Sequence, residues 1–390
     1  MSNLKSKKIV CTLYSVFCIL YSVLCILMVS CRHEEPVLPS EDEEVGSKDT
    51  TEIVGFYLLN EGNMGSNKAT LDYYDYTSGI YTRNIYAYTN PDVPMELGDV
   101  GNDLQIYGQR LYAVINASNK VEVMDVSTTK RIGQIDIPNC RYICFNGQYG
   151  YISSYAGPIT IDPNYAQIGY VAKFDTATLQ IVDTCHVGYQ PDELTIVGNK
   201  LYVCNSGGYM VPNYDHTVSV IDLNTFKEIK RIDVAINLHR ARADQNGALW
   251  VTSRGDYYDE QPKLFCIDTN LDEVVADFDF PVSDMDIVGD SLYACSAGFD
   301  YIVMDYVLSY KIMNVRTREI VSEKFITDGT DEQIQLPYGI KVNPRARYIL
   351  LTDAKDYVTP GVLYCFSHDG KKKWEVRTGD IPAHIAFVKK

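Results

Sequence analysis

Asp99, Asp192, Asp284 and His384 stand at equivalent connections of a repeating chain. Carboxylates and an imidazole gathered around one axis from separate segments could hold a divalent metal for lactone hydrolysis. A larger constellation points to binding. Tyr155, Tyr165, Tyr209, Tyr214, Tyr257, Tyr258, Tyr301, Tyr306 and Tyr357 all fall in long connecting loops, with Asn60, Asn205, Arg254 and Lys355 beside them. Tyrosine offers a rigid apolar plate with a hydrogen-bonding edge, at a small entropy cost on binding. Loop packing competes with ligand contact for any one of these rings, so the set carries more weight than its members. Arg141, Gln190, His239, Arg240 and Tyr338 complete a polar inner ring, for which buried charge pairing is the competing role. HExxH, G-x-S-x-G, Walker A and G-x-G-x-x-G patterns are absent, and the six histidines give no local zinc spacing. The expectation is a binding protein rather than an enzyme, without a catalytic or metal site of its own.

The elements that must position these groups come from a sevenfold repeat. The segment "VSVIDLNT" at 218–225 matches "LDYYDYTSG", "VEVMDVSTT", "VAKFDTATL" and "LFCIDTNLD", with weaker copies in "KIMNVRTRE" and "LYCFSHDGK". Its landmark residue is Asp75, Asp125, Asp175, Asp222, Asp268, Asn314 and Ser367 in turn. Each copy follows an apolar strand such as "LYAVI", "LYVCN" or "LWVTS", and most of these follow a strand ending in a Gly or Asn turn. Four short strands per repeat of 46 to 53 residues predict an all-β, seven-bladed β-propeller. The landmark side chains precede turns and are read as structural, bonding local amides. The first repeat lacks an inner strand, and the terminal "IPAHIAFVKK" resembles the inner strands elsewhere. The chain end is therefore expected to complete the first blade and close the ring. In this topology the tyrosine loops, which join second to third strands, share a face with the inner-ring connections; the opposite turns are short.

Residues 1–30 read as a lipoprotein signal: Lys5, Lys7 and Lys8, an apolar run, then "LMVSC", which makes Cys31 the expected lipidation site. A membrane-spanning anchor helix is the alternative for this run. Residues 31–52 are acidic and poor in apolar groups, the composition of a flexible tether, and 53–390 form the propeller. The formal charge of −16 becomes −19 once the three signal lysines are removed, which disfavours nucleic acid as a partner. Seven cysteines beyond Cys31 sit in or beside apolar strands without a CxxC, and read as core residues rather than a disulfide framework.

The repeats resemble the YncE-like, surface-layer-type propellers over essentially all of residues 53–390. "FYLLNEGNMGSNKATLDYYD", "GYMVPNYDHT" and "RGDYYDEQPKLFCID", together with the lipoprotein signal and acidic tether, look like the BtuG-type surface lipoproteins of Bacteroides. That resemblance implies capture of cobalamin and related corrinoids at the outer-membrane surface and delivery to a BtuB-like TonB-dependent transporter. The cobalt would arrive with the cargo, so no cofactor of the protein itself is implied. The site expected from the loops comprises Asn60, Asp99, Arg141, Tyr155, Tyr165, Asn205, Tyr209, Tyr214, Arg240, Arg254, Tyr257, Tyr258, Tyr301, Tyr338 and Tyr357. A glycan-binding propeller and a metal-dependent lactonase are the alternatives. Stacking on sugars favours Trp, and both Trp250 and Trp374 fall in strand-like segments.

Overall fold

The computed structural model describes residues 39–46, 52–93, 97–159, 164–256, 258–300 and 305–390. The signal segment, Cys31, Tyr257 and Tyr301 lie outside the described residues. Among the described residues no helix is long and apolar enough to cross a membrane.

Seven antiparallel sheets form the blades, six of four strands and one of five. The strand pattern follows from burial. Second strands such as Arg110–Ile115 and Lys200–Asn205 are enclosed on both faces by neighbouring blades, so they read as continuous apolar runs. Outer strands such as Arg131–Asp136 and Lys227–Asp233 meet solvent and carry mostly exposed residues. Where inner and second strands meet, Gly108, Gly147, Gly198 and Gly289 all adopt φ near +60°, the left-handed conformation that tight hairpin turns require.

The inner strands run Gly101–Tyr107, Cys140–Asn146, Pro191–Val197, Leu238–Ala243, Asp284–Val288, Pro337–Val342 and Pro382–Lys389, each packed beside the next around a closed ring. The closing strand is the chain terminus: Pro382–Lys389 pairs with Ile53–Asn60, placing Phe387 opposite Phe56 and Ile385 opposite Leu58. The seam is sealed by Leu350, Leu363, Cys365 and Trp374 of the seventh blade packing on Phe56, Leu58, Tyr74 and Ile385 of the first. Each fully buried leucine there contributes about 1.5–3 kcal/mol through apolar area removed from water.

The landmark residues cap turns. Asp125 accepts from the amides of Ser127 and Thr128 at 3.0 and 2.9 Å, and Asp175, Asp222, Asp268 and Asn314 make the same local bonds. All seven cysteines of the propeller are free thiols, and all but the half-buried Cys144 are buried.

Two segments differ from the sequence expectation. Glu41–Glu44, within the acidic stretch assigned to the tether, forms a fifth, outermost strand on the first blade, pairing with Ile80–Arg83. Arg83 bridges Glu41 and Glu43, and Thr82 donates to Asp42 at 2.6 Å, so a tertiary partner offsets the repulsion of consecutive acids. In the sixth blade, the stretch read as a long tyrosine loop is a projecting hairpin of Ser291–Asp300 and Asp305–Asn314, paired along its length.

Candidate functional site

Strand register fixes which groups share a face. Inner strands begin opposite the ends of second strands: Pro191 pairs with Asn205, Leu238 with Ser253 and Pro337 with Asp353. The loops that leave the second strands therefore surround the mouth of the channel where the inner strands start.

The rim is apolar and exposed. Met64, Tyr165, Tyr209, Val211, Tyr258, Tyr306, Val307 and Tyr357 are all exposed, and they come from six of the seven loops or hairpins on this face. Tyr165 and Tyr258 are the most open rings, each 74% accessible. Tyr214 is half-buried. Tyr155 is buried, and its hydroxyl donates to Asp192 at 2.7 Å, so it supports the mouth from beneath. Tyr338 donates to Glu61 at 2.9 Å and meets Tyr357 edge-on at 5.8 Å, which seats one rim ring on an inner-strand ring.

The mouth is a bonded polar plug. Asp192, wholly buried, receives Arg141 Nε and Arg254 Nη1, each at 3.0 Å. Burial alone would raise its carboxyl, but Arg141, Arg254 and the Tyr155 hydroxyl outweigh that and hold it below the ordinary value, as an anion. Tyr142 reaches across the axis: its hydroxyl lies 2.9 Å from Nε2 of His239 and 3.1 Å from Arg240 Nη1, and its ring is 6.4 Å from that of His384. Burial, then the guanidiniums of Arg254, Arg240, Arg141 and Arg242, hold His239 well below the usual imidazole value, so it is neutral. Arg240 pairs with Asp284 at 3.1 Å and Arg242 with Glu193.

Several inner-ring acids fasten blade to blade. Asp103 accepts from the amide of Ile143, Glu193 from Ala241 and Asp284 from Ile340, each at 2.9 Å and each in the next blade. Each of the four groups weighed as metal ligands has other partners. Asp192 serves two arginines, Asp284 a neighbouring strand, Asp99 the loop amides of Gly65 and Asn67, and His384 lies 3.2 Å from Glu61. Among the described residues, no three His, Cys, Asp or Glu side chains are grouped to hold a metal ion.

Asn60 and Asn205 are placed inside blades rather than at the rim. Asn60 donates to Asp72 at 2.9 Å and Thr70 at 3.0 Å; Asn205 donates to Ser219 at 2.9 Å and Thr217 at 3.0 Å. Both are wholly buried, where an amide must find local partners. Their position at strand ends looked like rim placement in the sequence, which carries no sign of the pleat turning them inward.

Sequence reasoning missed Asn139 and Asn237, and placed Gln190 in the inner ring without its role in bracing a loop. The bends into inner strands place Asn139, Gln190 and Asn237 at φ of 44°, 48° and 54°. From there Asn139 donates to the carbonyl of Gly157 and Asn237 to that of Gly255, both at 2.9 Å, while Gln190 accepts from the amide of Tyr209 at 2.8 Å. Each clamps the stem of a tyrosine-bearing loop. The signal available was the Asn directly before two of the inner strands, Asn139 and Asn237, since Asn tolerates the left-handed conformation. Gly255 tightens the fifth loop further: it has φ +64°, and a Cβ there would lie 1.9 Å from the carbonyl oxygen of Glu260.

Residues 54–381 match the family described as Domain of unknown function (DUF5074). The chain belongs to this family. No curated protein matches the sequence. Among solved structures, Kuenenia stuttgartiensis hydrazine synthase is similar with a TM-score of 0.55 at 14% identity, over 69% of this chain and 77% of that one. The Neurospora crassa Pan2 WD40 domain is similar with a TM-score of 0.51 at 8% identity, over 74% and 80% of the two chains. At such identities the likeness is one of fold, and function has to be argued from the site. For this DUF5074 member, the site is an apolar, aromatic rim on braced loops around an internally bonded polar mouth.

Proposed function

We propose that this protein captures cobalamin or a related corrinoid on its tyrosine rim and passes it to a TonB-dependent outer-membrane transporter. The observation that carries this reading is the concentration of exposed tyrosines on one face, on loops whose stems are braced by Asn139, Gln190 and Asn237. A corrinoid is a broad, rigid macrocycle with apolar edges and peripheral amides. Tyrosine faces cover such edges, and hydroxyls and loop backbone pair the amides. Rigidity on both sides lowers the ordering cost of association. Binding in this reading involves no covalent step, and the protein is not an enzyme.

Surface anchoring through a lipidated Cys31 belongs to the same proposal. Glu41 pairs with Arg83, at the end of its strand on the loop face, so the chain reaches the propeller on the side of the rim. From Cys31, ten residues span at most about 35 Å. A lipid anchor on so short a leash would keep the rim near the membrane, where a transporter could receive the cargo. The glycan alternative loses its best platforms, because Trp250 and Trp374 are both buried.

The test is co-elution. Residues 32–390 mixed with cyanocobalamin should leave a sizing column with the red ligand in the protein peak. Elution of all colour at the small-molecule volume would reject the reading.

A further inference from the structure

The capture reading leaves one feature of the mouth unexplained: why two guanidiniums share one carboxylate. Arg141 bonds Asp192 through Nε alone, and its guanidinium lies over the Tyr155 ring at 4.9 Å. Held from two sides, the group has little rotamer freedom left. Its two Nη groups make no hydrogen bond to the described residues and are not sealed from solvent, the side chain being 12% exposed. Arg254 approaches the other oxygen of Asp192 with a side chain 31% exposed. Tyr209, on the rim above, is near enough to act electrostatically on Arg141. The remaining carboxylates of the mouth are engaged elsewhere: Glu193 with Arg242, Asp284 with Arg240, and Glu61 with His384 and Tyr338. The four arginines also act together on His239, where they oppose protonation. Two guanidiniums thus meet on the one carboxylate of Asp192, in a chain of net charge −16.

We propose that the Nη fork of Arg141, flanked by Arg254, is an anion-docking point that receives one phosphodiester or carboxylate group of the ligand held by the rim. The inference rests on the capture reading for its ligand, and on this geometry for its chemistry. A planar fork of fixed direction suits two parallel hydrogen bonds to an oxyanion. The rim would then grip the apolar body of the cargo while the mouth orients its charged tail. Among corrinoids, this favours those with a phosphodiester-linked nucleotide over those without one.

Two sets of titrations test it, on residues 32–390. The first uses phenyl phosphate, benzoate and benzyl alcohol as probes. The anions should bind and benzyl alcohol should not; binding should weaken with added salt and vanish in Arg141→Gln. Whether phenyl phosphate or benzoate binds more tightly identifies the preferred oxyanion. The second compares cyanocobalamin with dicyanocobinamide, which lacks the phosphodiester. The wild-type protein should prefer cyanocobalamin by about 10- to 100-fold, the scale of a charge-assisted contact. Arg141→Lys, which keeps the charge and loses the fork, should lose much of that preference and keep its affinity for the cobinamide. Equal affinity for the two corrinoids, with no binding of either anion, would overturn the docking point and leave capture intact. Anion binding that depends on Arg141, without binding of either corrinoid, would support the docking point and end the capture reading.

Discussion

The side-chain amide of Asn237 donates to the carbonyl of Gly255 at 2.9 Å, joining the bend that enters the fifth blade to the stem of the loop that carries Tyr258. Asn139 and Gly157 repeat the contact in the third blade. A loop braced in this way presents its rings in one arrangement, and tight recognition of a rigid ligand benefits from that.

This bracing has a measurable cost of removal. Asn237 is buried at φ 54°, a left-handed conformation that Asn tolerates better than Ala, so Asn237→Ala costs about 1 kcal/mol in backbone preference and deletes a buried hydrogen bond worth about 1 kcal/mol. Asn237→Gly, without a Cβ, keeps that dihedral free of strain and loses only the bond. Urea unfolding should therefore rank wild type above Gly above Ala. Equal midpoints for all three would show that the clamp does not stabilise the loop.

Acid sensitivity should trace in part to His239. Its folded-state pKa is depressed, first by burial and then by the arginines, while the unfolded chain titrates near the ordinary 6.5. Below that pH the unfolded state binds a proton that the folded state does not, so stability falls as pH drops from 6.5 toward the folded pKa. The slope for one group is at most about 1.4 kcal/mol per pH unit. Asp72 and Asp103, raised by burial, act in the opposite sense. Comparing wild type with His239→Gln cancels those shared contributions. The wild type should lose stability relative to the variant between pH 6.5 and 5; parallel profiles would contradict a neutral, buried imidazole.

Ring closure by the terminal strand predicts an all-or-none truncation effect. Ending the chain at Asp380 removes Pro382–Lys389 and strips the inner strand from Ile53–Asn60. The uncovered edge and the exposed Phe56–Leu58 seam should make the product aggregate, without a cooperative melt by circular dichroism. A monomeric, cooperatively melting truncation would show that the seam is dispensable.

Rim and core tyrosines should separate by phenotype. Tyr209→Ala and Tyr258→Ala remove exposed rings, so stability should change by no more than about 0.5 kcal/mol, while corrinoid affinity falls. Tyr155→Phe removes the hydroxyl that donates to the buried Asp192 and should lower the thermal midpoint. Thermal shift and ligand titration on the same samples distinguish the two classes.

The repeat made the architecture legible, because burial of second and third strands between blades forces apolar runs at a fixed period. The closing strand was legible for the same reason: "IPAHIAFVKK" carries the inner-strand pattern where the first repeat lacks one. The outermost strand Glu41–Glu44 was not, since consecutive acids have no strand preference of their own and are held there by Arg83. The site was legible at the level of a face, through loop length and tyrosine content. Which rings lie open and which lie beneath was not: Tyr155 and Tyr165 occupy one loop, yet one supports Asp192 and the other faces solvent. Asn60 and Asn205 show the same limit, as side-chain direction at a strand end depends on pleat and neighbours rather than residue type.

Calorimetric titration of cyanocobalamin into residues 32–390 tests the central claim most directly. Capture on the rim predicts saturable, one-to-one binding that weakens markedly in the Tyr209→Ala, Tyr258→Ala double variant, with an unchanged melting temperature. Absence of heat at every temperature tried, or binding indifferent to both tyrosines, would contradict it.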